Sequence, residues 1–219
     1  MRNKFDMQLD YLNEQLIHMG ELCEDAIANA TKALQQGDVT MAKRVIADDE
    51  EIDQMEKDIE RLCLKLLLQQ QPVARDLRQI SAALKMITDM ERIGDQTADI
   101  AEIIISAKMN APTEIKEIGA MAVATSNMVH ESVSAYVHKD LELTGMVIKA
   151  DDEVDRLFDQ VKEHLIAFIA TNKKQGGTAM DLLMITKYLE RIGDHATNIA
   201  EWVEFSITGV HKGDATVEG

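Results

Sequence analysis

Apolar residues recur at helical spacing almost from the start of the chain. Phe5, Leu9, Leu12, Leu16, Met19, Cys23, Ala26 and Ala30 alternate steps of four and three, the seam of a long helix in a coiled-coil-like bundle. Gly37-Asp38 ends it. A second helix carries Val45, Ile52, Ile59 and Leu66 at strict intervals of seven, flanked by Met41, Met55 and Leu62, until Gln69-Gln70-Gln71-Pro72 breaks the pattern. The third runs from about Ala74 to Ala107, with Leu77, Ile80, Leu84, Ile87, Met90, Ile93, Thr97, Ile100 and Ile104 facing inward. No segment alternates as a strand would.

The same three-helix pattern then repeats. Glu91-Arg92-Ile93-Gly94-Asp95-Gln96-Thr97-Ala98-Asp99-Ile100-Ala101-Glu102 returns 99 positions later as Glu190-Arg191-Ile192-Gly193-Asp194-His195-Ala196-Thr197-Asn198-Ile199-Ala200-Glu201, with eight of twelve residues identical. Asp49-Glu50-Glu51-Ile52-Asp53 matches Asp151-Asp152-Glu153-Val154-Asp155 at an offset of 102, so the loop before the last helix is three residues shorter in the second copy. Shifted by 102, the heptad stripe lands on Val147, Val154, Val161 and Phe168. The second set of helices is expected near 113–138, 140–171 and 178–207, with Asn172 to Gly177 as a loop broken by Gly176-Gly177. Asn110-Ala111-Pro112-Thr113 reads as the boundary between copies, because proline suits a helix start. The expected fold is therefore all-α, two tandem three-helix bundles related by an internal pseudo-two-fold repeat, residues 1–110 and 111–219.

Composition agrees with helix and narrows the partners. Aromatic residues make up 4% of the chain and there are two prolines, while 46% of residues are hydrophobic, enough for a core. The net charge of −16 repels nucleic acid and anionic headgroups and favours cations or a basic protein surface. The two cysteines, Cys23 and Cys63, fall on apolar helical positions and lack CxxC spacing, so they read as packing thiols. The charged amphipathic start has no apolar core of signal-peptide length, and no apolar run approaches a membrane span. A cytoplasmic protein without direct membrane insertion is expected.

Candidate chemistry lies in the duplicated motif. At about 100° per residue, Glu91, Asp95, Asp99 and Glu102 share a sector of one helix, as do Glu190, Asp194, Asn198 and Glu201. Like charges four residues apart destabilise a helix by a few tenths of a kcal/mol per pair. A bound cation would relieve that repulsion. The bland reading is a solvated charged face. Against it, Glu-Arg-Ile-Gly-Asp is identical in both copies, and both keep a mid-helix glycine that costs about 1 kcal/mol relative to alanine. Gly94 and Gly193 read as points of close approach. The metal ligands expected are Glu91, Asp95, Asp99, Glu190 and Asp194. Oxygen ligands favour magnesium, manganese, iron or calcium, whereas zinc usually enlists histidine or cysteine. His195 points about 100° from Asp194 and reads as exposed or partner-facing, while His130-Glu131 and Glu24-Asp25 are secondary candidates facing the acidic stripes.

The repeated Glu-Arg-Ile-Gly-Asp followed by Ile-Ala-Glu, with Gln71-Pro72-Val73-Ala74-Arg75-Asp76-Leu77-Arg78 and Ala42-Lys43-Arg44-Val45-Ile46, resembles the PhoU family of phosphate-signalling proteins over essentially residues 5 to 207. The resemblance implies metal ions, or multinuclear iron or zinc clusters, at Glu91 and Asp95 and at Glu190 and Asp194. It also implies a homodimeric negative regulator of phosphate uptake and of the phosphate-starvation response. Its implied partners are the ATPase subunit of a phosphate ABC transporter and a membrane-bound sensor histidine kinase. Asp99 corresponds to Asn198, which differentiates the two sites by one charge. Two other classes compete with this adaptor. A ferritin-like di-iron enzyme would need Glu-x-x-His pairs on inward faces, and that spacing never occurs. A plain helical scaffold would use its acidic faces only for solubility.

Overall fold

The structure, a computed structural model, describes residues 2–70, 72–109, 115–171 and 173–210. Those residues form six long helices, α1 (Arg2–Gln36), α2 (Val39–Gln70), α3 (Ala74–Ser106), α4 (Lys116–His138), α5 (Leu141–Thr171) and α6 (Gly176–Thr208). A 3-10 turn at Lys173–Gln175 precedes α6, and no strand occurs among the described residues. The boundary expected at Asn110-Ala111-Pro112-Thr113 lies outside the described residues, as does Asn172. Gly176-Gly177, expected to break the chain, instead opens α6. The missing three residues are absorbed at this point: Ala74–Asp76, the first turn of α3, corresponds at an offset of 99 to residues 173–175, the 3-10 turn.

Each repeat is a three-helix bundle with its middle helix outermost. α2 touches only α1 and α3, and α5 touches only α4, α6 and the 3-10 turn. The repeats meet through α3 against α6 and α1 against α4. Both pairs are antiparallel: Asp89 meets His195 and Asn198 while Asp99 meets Tyr188, and Gly20 lies by Val133 while Glu24 meets His130. On α3 and α6 these pairings bring residue 94 level with residue 193, so the duplicated motifs flank the pseudo-two-fold axis at one height.

The apolar stripes supply the packing. Val45, Ile52, Ile59 and Leu66 are buried on α2, and so are Val147, Val154 and Val161 on α5. Each such aliphatic contributes about 1.5–3 kcal/mol relative to exposure. The buried side chains of both repeats form one continuous cluster. Two expected core positions do not join it: Leu77 is 48% exposed and Phe168 is 37% exposed. Both sit at helix ends, where the periodic stripe outruns its neighbours.

The α1–α2 and α4–α5 turns are duplicated in detail. Asp38 Oδ1 accepts from the N–H groups of Thr40 and Met41 at 2.9 and 3.0 Å, capping α2. Asp140 Oδ1 does the same for Glu142 and Leu143, both at 3.0 Å, capping α5. The residue before each cap is left-handed, Gly37 with φ 66° and Lys139 with φ 55°. Replacing Asp140 by alanine is expected to lower unfolding free energy by about 1 kcal/mol, and Asp38→Ala by a similar amount. Urea denaturation of each variant checks this, and an unchanged midpoint in both would show that the caps contribute nothing.

Candidate metal centres

The acidic motifs of α3 and α6 are half covered: Glu102, Asp194 and Asn198 are exposed, and the other acidic positions are partly buried. Each motif lies along the groove where the outer helix comes closest, and the glycine sets that distance. A Cβ on Gly94 would collide with Asp49 Oδ1 and lie 3.1 and 3.2 Å from the two methyl carbons of Ile52. On Gly193 it would lie 3.1 Å from Asp151 Oδ1 and 3.3 Å from Val154 Cγ1. The outer helices thereby lower a carboxylate onto each ridge. Asp49 Oδ1 is buried and has no hydrogen-bond partner among the described residues.

Electrostatics identifies the companions. Burial pushes Asp49 up to about 6, and the negative fields of Asp53, Asp95, Glu91 and Asp99 add to it in decreasing order. Burial likewise pushes Asp151 up to about 6, reinforced by Asp194, Asp155, Glu190 and Asp152. Glu91 is raised by burial and then by Asp95, and Asp194 by burial and then by Glu190. Two carboxylate sets emerge: Asp49, Asp53, Glu91 and Asp95 between α2 and α3, and Asp151, Asp155, Glu190 and Asp194 between α5 and α6.

Several positions differ from expectation. Glu91 and Glu190 are largely covered, so this part of the stripe borders the core and is not the solvated face of the bland reading. Repulsion in the first repeat is partly relieved by Arg92, which pairs with Asp95 at 3.0 Å and with Glu91 at 3.5 Å. In the second, Lys187 pairs with Glu190. Asp99 drifts about 80° from Glu91 over eight residues. Its field at Asp49 is weaker than those of Asp53, Asp95 and Glu91, and its carboxylate accepts from the Tyr188 hydroxyl in the α3/α6 seam. The equivalent pair is Asn198, whose Nδ2 donates to Asp89 Oδ1 at 3.2 Å. His195 is half-buried in that seam, 2.9 Å from the same Asp89 oxygen. His130 and Glu24 bond to each other at 3.0 Å between α4 and α1, away from both stripes. Cys23 and Cys63 are buried, and Cys23 Sγ donates to the Met90 carbonyl oxygen at 3.4 Å.

The residues missed at the sequence level are Asp49, Asp53, Asp151 and Asp155. Their signal was present in the duplicated Asp-x-x-x-Asp of the second helix of each copy. Heptad phase put Ile52 and Val154 inside, and one-turn neighbours of a buried position flank the same groove.

The donor set suits a hard cation: carboxylate oxygens, one of them buried and orphaned, in a cradle that a methyl group would fill. Among the described residues no three acidic, histidine or cysteine side chains already stand at coordination spacing. The two sets also differ. Glu56, raised by burial and then by Glu60 and Asp53, adds a carboxylate beside Glu91, whereas its counterpart Phe158 underlies Lys187 at 5.6 Å.

Because Asp49 and Asp151 bind a proton more tightly folded than unfolded, their contribution to stability is fully present below about pH 4 and lost as pH rises through about 6. The Tm of chelator-treated protein is therefore expected to fall less across that window in the Asp49→Asn/Asp151→Asn variant than in the wild type. Parallel curves in a pH series of melting scans would show that neither group is shifted. Gly94→Ala is expected to lose more thermal stability than Gly193→Ala, since the buried Ile52 cannot yield and a helix gain of about 1 kcal/mol does not offset the collision. The reverse order of Tm would remove the close approach from the account.

Comparison with known proteins places this geometry. The PhoU domain matches twice, over residues 16–104 and 118–203. A phosphate-specific transport system accessory protein PhoU homolog of Clostridium acetobutylicum is 37% identical over 212 residues, covering 95% of this chain and 96% of that one. Its namesake in Aquifex aeolicus is 37% identical over 189 residues, 86% of each chain. The crystal structure of PhoU from Pseudomonas aeruginosa superposes with a TM-score of 0.87 at 31% identity, covering 94% of this chain and all of that one. The phosphate transport system regulatory protein PhoU from Streptococcus pneumoniae gives 0.85 at 26% identity, with 94% and 98% covered. The duplicated bundle with its glycine-centred acidic motifs belongs to the PhoU family.

Proposed function

We propose that this protein is a metal-binding accessory regulator of a phosphate-specific transport system, acting as an adaptor and not as an enzyme. The observation that carries the metal is the pair of carboxylate sets facing Gly94 and Gly193, where each outer helix brings an aspartate raised to about 6 against a glutamate and a second aspartate. The regulatory role is supported by relatives named as phosphate-specific transport accessory proteins over nearly the full chain. Its partners in this reading are the transporter's ATPase subunit and a sensor histidine kinase, which it holds in the repressed state at the cytoplasmic face of the membrane. No helix among the described residues is long and apolar enough to cross a membrane. The working unit is a homodimer.

At each centre Asp49, Glu91 and Asp95, or Asp151, Glu190 and Asp194, would hold the ion, with Asp53 and Asp155 one turn along the outer helix. Iron or manganese suits these oxygen donors, with magnesium or zinc as further occupants. When bound, the ion supplies positive charge that replaces protons on the raised aspartates. The chain's own contribution is positional: the glycines fix the helix spacing, the apolar heptads keep it, and Arg92 and Lys187 trim the excess charge. A fixed spacing between α2 and α3, and between α5 and α6, gives partners a rigid surface.

Elemental analysis of purified protein is expected to find transition metal at both centres. It should be lost from the first in Asp49→Ala/Glu91→Ala/Asp95→Ala and from both when the equivalent three changes are added. Full occupancy in that sextuple variant, with helicity retained by circular dichroism, would defeat the assignment. Pull-down of the transporter ATPase should weaken when the protein is stripped with chelator. Unchanged capture would take metal out of the regulatory mechanism, and a monomeric mass by light scattering would remove the homodimer.

A further inference from the structure

A second charged site lies at one end of the α3/α6 seam, and it has the opposite sign. Arg75, Arg78 and Lys139 line a cavity of about 140 Å³ together with Gln79, Tyr136, Ser206 and Ile207. Three cations therefore converge in a chain of net charge −16, and no carboxylate is among the lining residues. None of the three forms an ion pair among the described residues. Arg78 Nε is buried and has no hydrogen-bond partner there. Burying a guanidinium N–H without an acceptor is unfavourable, so such donors are normally satisfied.

The backbone indicates that the charge is retained at a cost to the fold. Lys139 occupies a left-handed position with φ 55°, which glycine fills best and which disfavours other L-residues by roughly 1 kcal/mol or more. Its counterpart in the first repeat, 102 positions earlier, is Gly37 with φ 66°. The counterpart of Arg78, 99 positions later, is Gly177. Thus glycine serves both positions at the other end of the molecule, and architecture alone requires neither cation. Arg75 alone keeps its charge there, as Lys174.

The ligand follows from size and chemistry. The volume corresponds to roughly four or five waters of liquid and falls well below the ~300 Å³ at which pockets for drug-sized molecules begin. The lining offers guanidinium, ammonium and amide donors, whereas the hydroxyls of Tyr136 and Ser206 already donate to the Gln79 and Val203 carbonyl oxygens. Arginine forks fit tetrahedral oxygen pairs bidentately. The overall negative field is screened beyond about 8 Å at physiological salt, and the nearby Asp76 and Asp140 flank the cations without lining the cavity. The first turn of α3, which no side chain caps, begins at the same end. We infer that this cavity binds a small free tetrahedral oxyanion of the phosphate or sulfate type, separately from the carboxylate centres.

Equilibrium dialysis of the full chain with labelled inorganic phosphate, in the presence of EDTA, tests this. One saturable phosphate per chain is expected, competed by sulfate but not by chloride at equal ionic strength. Arg78→Gln and Lys139→Gly should each weaken binding by about tenfold or more, the scale of one lost charge-assisted hydrogen bond. Lys139→Gly should do so while its Tm holds or rises, because glycine suits the left-handed position, and this protects the test against a variant that merely unfolds. No saturable binding by the wild type would overturn the proposal, and so would wild-type affinity in both variants. Competition by chloride would reduce it to screening. Phosphate binding that vanishes with EDTA would transfer the anion to the carboxylate centres and equally overturn it. If the cations act only on nearby helix ends, Arg78→Gln loses stability while phosphate leaves the wild type's Tm unmoved, and that result also refutes the site.

Discussion

The contact on which the rest turns is the approach of each outer helix to a glycine on its inner neighbour. Ile52 and Val154 fill the core beside Gly94 and Gly193, and that packing places Asp49 and Asp151 one turn away, over the acidic motifs. With a side chain at either glycine the helices would part by a few tenths of an ångström and the carboxylate would swing outward. The apolar interaction thus enforces a polar one that is unfavourable by itself. Burial and like charge raise both aspartates to about 6, the signature of groups held together against their own repulsion. An acidic residue in that state responds to any positive partner, whether proton or metal ion.

The antiparallel α3/α6 seam sets the two centres at one height on opposite sides of the pseudo-two-fold axis. Its polar pairs are exchanged but not identical: Asp99 with Tyr188 on one side, Asp89 with Asn198 and His195 on the other. Both carboxylates belong to α3 of the first repeat: Asp99 answers a hydroxyl of α6, and Asp89 answers an amide and an imidazole. Duplication conserved the register while the hydrogen-bond chemistry diverged. The same holds at the centres, where Glu56 gives way to Phe158 and Lys187 stands where the first repeat has Thr88. The geometry at the two grooves is symmetric and the charge around it is unequal.

Most of the fold was legible because its signals are periodic and repeated. Seven-residue steps on α2 and alternating three- and four-residue steps on α1 gave the buried faces directly, and the exposure of Leu77 and Phe168 shows the one error such periodicity makes at helix ends. Gly176-Gly177 misled because glycine also tolerates the start of a helix, where the backbone N–H groups need no intrahelical partner. The candidate site was only half legible. A single-helix projection finds Glu91 and Asp95, but it cannot say which neighbour closes the groove. It also carries Asp99 along, although 80° of drift is enough to hand that residue to the seam. Asp49 and Asp151 were visible as a repeat, and their role needed the packing partner. Likewise His130 and Glu24, expected to face the acidic stripes, turned out to bond to each other.

These observations divide the labour between apolar and charged groups in a definite way. The continuous core holds α1, α3, α4 and α6 together across both repeats, whereas α2 and α5 each rest on two helices of their own repeat. The outer helices are therefore the elements with the fewest partners, and they carry half of each carboxylate set. The other half of each set sits on α3 or α6, so the charge of a set bears on the α2/α3 or α5/α6 groove, where the outer helix meets the central four. A pair of charged grooves on a rigid centre is an arrangement in which ionic conditions act on the outer surface while the fold persists.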